Sequence, residues 1–302
     1  GYFLEWPMPF QFAKASGAYD KALGLPVDWV SFESGAAMSA AMASGDVDLS
    51  ISQGVPSVVI SNSAGQDLQV VDVAVSYAEN DNCVVQSNLE IDKSNAEELA
   101  GKRVAVPVGT VTYYGFLKQM EHFGIDTASM EIVDMSSTDG SAAFAQGSVD
   151  VFCGWGGSLR RATETGNVLL TGAEKEALGI LVFDATTAPA SFITEQPDLV
   201  ATFLKVTADA NAKWSDPANH AEMLPVIAKE AGMDEAAAAE TMATFVFPTP
   251  AEQLSATWLG GGIQTYLSGV ADAFLASGNI PSVLPSYDAS VNPQPLTAAS
   301  EM

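Results

Sequence analysis

Arg103-Val104-Ala105-Val106-Pro107-Val108-Gly109-Thr110-Val111-Thr112-Tyr113-Tyr114-Gly115-Phe116-Leu117-Lys118 is the stretch from which the fold is read. Val104 to Val108 have the apolar run of a short buried strand, and Gly109 to Thr112 turn the chain into a helix carrying Tyr113, Tyr114, Phe116 and Leu117. A strand that passes through a glycine turn into a helix leaves backbone N–H groups without acceptors beside the positive end of the helix dipole. Such an end attracts anions. Gly109, Thr110, Val111 and Thr112 are therefore candidate ligand-binding residues, with two hydroxyls among them. No Lys or Arg lies between Arg103 and Lys118, so dipoles rather than an ion pair would hold the anion. The turn has neither GxxxxGK[ST] nor GxGxxG, which points to a small anionic group such as sulfonate, carboxylate or phosphonate.

Strand-like and helix-like runs alternate along the chain, the mark of an α/β protein with largely parallel sheets. Tyr2 to Leu4, Val27 to Phe32, Val47 to Ser52, Val70 to Tyr77, Cys83 to Gln86, Glu131 to Met135, Val149 to Trp155, Ile180 to Thr186 and Phe192 to Thr194 read as strands. A helix is expected from Phe10 to Leu23, and everything after Pro197 reads as helical, including Pro250 to Ser277 interrupted at Gly260-Gly261-Gly262. An internal echo adds to this: Ala40 to Asp48 (AAMASGDVD) is matched 102 positions later by Ala142 to Asp150 (AAFAQGSVD). Each copy is a small-residue helix ending at glycine before a Val-Asp strand. Gln53 and Trp155 follow the two strands, again 102 apart, where ligands sit in open sheets.

The chain has 302 residues, 48% hydrophobic and 16% charged, and can bury one large core or two of ordinary size. Two lobes are expected: residues 1–85 with 185–302 forming a discontinuous first lobe with a helical tail, residues 86–184 forming the second, and a ligand cleft between them. The 37 acidic residues against 12 basic ones give a formal charge of −25, which disfavours nucleic acid and anionic membrane surfaces as partners. No apolar run reaches the roughly 18 residues of a membrane span, so a soluble chain is expected. Cys83 and Cys153 fit either a disulfide or two buried thiols and match no zinc spacing. His122 and His220 stand apart from any Ser, Cys or acidic motif, so no catalytic residue, metal or cofactor is expected.

The order of elements, with Ala43-Ser44-Gly45-Asp46-Val47, Gly101-Lys102-Arg103-Val104-Ala105-Val106-Pro107 and Gly147-Ser148-Val149-Asp150, resembles the taurine-binding periplasmic proteins of bacterial ABC importers, within the nitrate, sulfonate and bicarbonate group of solute-binding proteins. The resemblance spans almost the whole chain. It implies a two-lobed periplasmic-binding-protein fold of type II, each lobe a mixed, mostly parallel sheet flanked by helices, a monomer in the periplasm with its signal peptide removed, and a transient partner in an inner-membrane ABC permease. It also implies a small zwitterionic or anionic solute whose sulfonate meets Gly109 to Thr112, with further contacts near Gln53 and Gly54, at Asn80, Asp81 and Asn82, and at Trp155. The chain departs from the family at Glu5-Trp6-Pro7-Met8-Pro9 and at Thr187 to Ser191. Glu5, Asp81 and Asp184 are rival partners for an ammonium, and Trp6 facing Trp155 could hold a methylated one by cation–π contact. A betaine-like solute is the alternative ligand. A pyrimidine-synthase-like enzyme on the same fold is the alternative from another class.

Overall fold

The computed structural model describes residues 1–302 and divides them into two units. The first consists of Gly1–Ser76 and Asp184–Met302, the second of Tyr77–Phe183. In the first unit β1 (Tyr2–Phe3) pairs in parallel with β2 (Ser31–Phe32), and β3 (Ser50–Gly54) and β4 (Leu68–Ser76) belong to a three-stranded sheet. The second unit holds β5 (Asp81–Gln86), β6 (Arg103–Val106), β7 (Glu131–Asp134), β8 (Val151–Trp155) and β9 (Gly166–Val168) in one sheet ordered β7-β6-β8-β5-β9. The last strand, β10 (Phe183–Pro189), lies between β3 and β4.

The sheets are mixed, as expected, with antiparallel pairs beside the parallel ones. β6 runs parallel to β7 and β8, but β5 is antiparallel to both β8 and β9, and β10 is antiparallel to β3. Helix crossovers explain the parallel pairs, whereas strands entering from the two chain crossings pair in the opposite sense. The unit boundary falls at Ser76 and Tyr77, not after residue 85: β5 pairs with β8 over five consecutive positions and is bonded to it through the Cys83–Cys153 disulfide. The sequence left that pairing open.

Other boundaries shift for local reasons. The helix expected from Phe10 to Leu23 is two, Phe10–Ala15 and Ala18–Leu23, parted at Ser16-Gly17. Only Ser31 and Phe32 of the expected second strand pair; Trp29 packs instead on Phe10 and Tyr19, with ring centroids 5.5 and 5.2 Å away. Phe192 to Thr194 are not a strand but lie in the helix Ala190–Glu195, since a short apolar run does not by itself separate strand from helix. The expected helix from Pro250 is Pro250–Gln253 and Gly262–Ala276, with a turn over residues 254–261.

Each unit has its own apolar core. Val84, Ala105, Phe144, Val149, Phe152, Leu159 and Ala162 cluster in the second unit. Met42, Val47, Val58 and Leu68 form one cluster in the first, and Met223, Ile227 and Met242 another among the C-terminal helices. Burial of this kind supplies the main favourable term of folding, and it holds the strand ends that carry the polar groups described next.

Candidate functional site

In the second unit the candidate residues gather at one end of the sheet. β6 leads through Pro107 to Gly109, whose φ of 82° is a left-handed conformation open to glycine, and into the helix Val111–His122. Thr110 is the N-cap: its Oγ1 accepts from the Tyr113 N–H at 3.3 Å and donates to the Pro107 carbonyl at 2.6 Å. The N–H groups of Val111 and Thr112, at the start of the helix, have no intrahelical acceptor. The Thr112 hydroxyl, buried, donates to Asp81 Oδ2 at 2.5 Å. Both threonine hydroxyls expected for a ligand therefore spend their hydrogens within the protein, Thr110 on a carbonyl and Thr112 on a carboxylate.

Asp81 opens β5 directly opposite Trp155 at the end of β8. Burial pushes its carboxyl up to about 6, against the Lys175 charge and the Thr112 hydrogen bond, which both favour ionisation. Lys175, 1% exposed, donates to the Asp81 carbonyl, and burial holds its ammonium below the usual range against the pull of Asp81, Glu79 and Glu176. Asn82 is spent on the fold: its Nδ2 donates to the Leu170 carbonyl at 2.7 Å and its Oδ1 accepts from the Cys83 N–H at 2.9 Å. Asn80 differs. Its carbonyl accepts from the Gly156 N–H at 3.1 Å, but its side-chain Nδ2 is buried without a hydrogen-bond partner. Half-buried Trp155 precedes the helix Gly156–Thr163, its own N–H donating to Ser137 Oγ at 3.3 Å.

The first unit has a separate constellation around Ser52. Trp6 Nε1–H donates to Ser52 Oγ at 2.8 Å, and Ser52 Oγ donates to Asp184 Oδ2 at 2.9 Å. The Trp6 ring lies tilted against Phe245 with centroids 4.6 Å apart. Ser52 is 1% exposed with φ 66°, a left-handed conformation that disfavours a side chain by about 1–2 kcal/mol. Asp184 pairs with Gly54 across β10 and β3, so four of the expected residues, Trp6, Gln53, Gly54 and Asp184, come to one place. Gln53, however, serves as a brace: its Nε2 donates to the Gly35 carbonyl at 2.8 Å and to Ser39 Oγ at 2.6 Å, and its Oε1 accepts from Thr187 Oγ1 at 2.5 Å. Gly54 leads into the helix Val55–Ser63. Glu5 is exposed, φ 55°, with its N–H donating to the Ala231 carbonyl at 2.7 Å.

Ser52 and Lys175 went unnoticed in the sequence. Ser52 stands in the polar strand Ser50-Ile51-Ser52-Gln53-Gly54, where only its polarity marks it, and Lys175 sits in a helix beside Glu174 and Glu176 like any solvent-facing lysine. No group of three or more His, Cys, Asp or Glu side chains is arranged to hold a metal ion, and no helix is long and apolar enough to cross a membrane.

Sheets flanked by helices in this order, with polar groups at the strand ends, match the folds of periplasmic solute-binding proteins. The crystal structure of the periplasmic aliphatic sulphonate binding protein SsuA from Escherichia coli covers 96% of this chain and 89% of its own, with a TM-score of 0.79 at 20% identity. Residues 8–219 match the NMT1/THI5 like family, and the chain belongs to it. It is also 26% identical over 283 residues to the taurine-binding periplasmic protein of Escherichia coli K12, across 92% of this chain and 86% of that relative. The desulfurization enzyme DSZB has the fold too, with a TM-score of 0.63 at 15% identity over 99% of this chain and 98% of that one, so the architecture hosts catalysis as well as binding.

Proposed function

We propose that this protein is the solute-binding receptor of an ABC importer, taking taurine or a closely related small sulfonate zwitterion in the periplasm and delivering it as a monomer to an inner-membrane permease. The observation that carries the reading is Asn80. A buried amide donor without an acceptor is costly, and such a group in a folded protein calls for a partner supplied from outside. It stands one residue before Asp81, whose carboxylate reaches Thr112 at the start of a twelve-residue helix. An oxygen-rich anion satisfies the Asn80 amide and the N–H groups of Val111 and Thr112 without a cation. The relatives' names agree with a sulfonate in that role.

Glu5, being exposed, is the weakest of the three carboxylates for an ammonium, which leaves Asp81 and Asp184. Titration calorimetry of the full chain with taurine, ethanesulfonate and glycine betaine tests the reading. Taurine is expected to bind most tightly, and Asn80→Ala to weaken both sulfonates by about tenfold, the loss of roughly one hydrogen bond to a charged group. Whichever of Asp81→Asn and Asp184→Asn weakens taurine while sparing ethanesulfonate identifies the ammonium's partner. Tighter binding of betaine than of taurine would move the ligand to methylated ammonium compounds, and no binding of any of the three would end the receptor reading for this class. The solute is expected to be recovered chemically unchanged.

A further inference from the structure

We infer that Ser52 is a positioning residue that sets the preference for solutes bearing a cationic group, an inference that rests on the receptor reading above. Its backbone is the one buried non-glycine position with a left-handed φ, at 66°. Strain of this sort persists where surrounding structure enforces it, and it clusters at functional positions. What the conformation achieves is visible in the bonds of the hydroxyl. Ser52 Oγ accepts from the Trp6 indole at 2.8 Å and passes its own proton towards Asp184 Oδ2 at 2.9 Å.

A serine hydroxyl has one hydrogen and two lone pairs, so accepting from an indole obliges that hydrogen to go elsewhere, and the carboxylate takes it. One side chain thereby fixes both the plane of an aromatic ring and the orientation of a carboxylate, the two kinds of group that recognise an ammonium. The ring has a second restraint in Phe245, 4.6 Å away. The backbone beside Ser52 is braced in turn by Gln53, whose amide bonds Gly35, Ser39 and Thr187. Ser52 itself need not touch the solute.

Ser52→Ala removes the hydroxyl and keeps the strain, whereas Ser52→Gly removes both, so the pair separates positioning from stability. Calorimetry is run on wild type and both variants with taurine and with ethanesulfonate, which lacks the amine, alongside thermal melts and the NMR signal of the Trp6 indole N–H. Both variants are expected to bind taurine about tenfold more weakly while holding ethanesulfonate within about twofold, and the indole N–H signal is expected to move upfield as its acceptor is lost. Ser52→Gly should melt no lower than Ser52→Ala. Taurine affinity equal to wild type in both variants overturns the inference, as does an equal loss for both solutes. If wild type binds neither sulfonate, the sulfonate reading falls and the solute preference with it, while an unmoved indole signal in Ser52→Ala separately overturns the positioning.

Discussion

At the scale of single residues, the partners of the buried acids were beyond reach of the sequence and the turn was not. Gly109 and Thr110 announce themselves by type and order, because a left-handed glycine and an N-cap threonine are local devices. Thr112 meeting Asp81 joins positions 31 apart, and Lys175 meets Asp81 across 94, so only the fold reveals them. Asp72 is a similar case in the first unit, wholly enclosed on β4 and accepting from Thr186 Oγ1 at 3.1 Å. Burial pushes its carboxyl up to about 6, with hydrogen bonds from Gln253, Thr186 and Val73 working against the rise. Since the folded form holds the proton more tightly than the unfolded chain, whose value is 3.8, the contribution of Asp72 to stability is fully present at low pH and declines as pH rises from about 4 through about 6. A rise of about two units corresponds to about 3 kcal/mol. Urea unfolding of wild type and Asp72→Asn between pH 4 and 7.5 checks this: the decline is expected to be shallower in the variant, by an amount up to that figure. Parallel curves would show that Asp72 ionises in the fold as freely as in the unfolded chain.

At the scale of elements, the echo in the sequence extends further in the structure than the letters suggest. Ser34 caps the helix Gly35–Ser44 by accepting from the Ala37 N–H, and Ser136, 102 residues on, caps Ser137–Ala145 by accepting from the Asp139 N–H. The helix ends match as well. Asp46 N–H donates to the Ala41 carbonyl and Ser148 N–H to the Ala143 carbonyl, both at 2.9 Å, around Gly45 at φ 81° and Gly147 at φ 69°. These units were legible because caps and stops are written in residues close together in the chain. β10 was legible as a strand near Ile180 to Thr186 but not in its place, since a strand that enters antiparallel to β3 and separates it from β4 has no local signature of its neighbours. A Cβ added at Gly45 or Gly147 would meet nothing within 4 Å, so only the backbone conformation resists substitution. Gly45→Ala and Gly147→Ala are each expected to lower the unfolding free energy by about 1 kcal/mol, alike within error and without change in solute affinity. At Gly154 a Cβ would lie 2.3 Å from the Phe152 ring and 2.5 Å from Ser137 Oγ. Gly154→Ala should therefore cost more than either, and equal losses at all three positions in denaturant melts would contradict this ranking.

At the scale of the whole molecule, the second unit is an insertion in the first. The chain leaves the first unit after Ser76 and returns at Asp184, and Tyr77 N–H donates to the Val182 carbonyl at 3.0 Å, so the two ends of the insertion are hydrogen-bonded neighbours. The sequence showed that there are two units through the repeated helix-to-strand motif, but it misplaced the first crossing because the pairing of β5 with β8 is a contact between distant positions. A segment with adjacent ends, a five-stranded sheet and its own apolar cluster has what an autonomous domain requires. Its disulfide closes a loop of 70 residues, worth about 4 kcal/mol in chain-entropy terms. That is a large share of the roughly 5–15 kcal/mol by which a domain is stable. The oxidised fragment Tyr77–Phe183 is accordingly expected to melt in a single cooperative transition when followed by near-ultraviolet circular dichroism, and Cys83→Ser with Cys153→Ser to lower its midpoint sharply. A fragment without fixed tertiary signal even when oxidised would mean that the second unit depends on the first for its fold. In that event the disulfide would restrain a structure that the insertion alone does not possess.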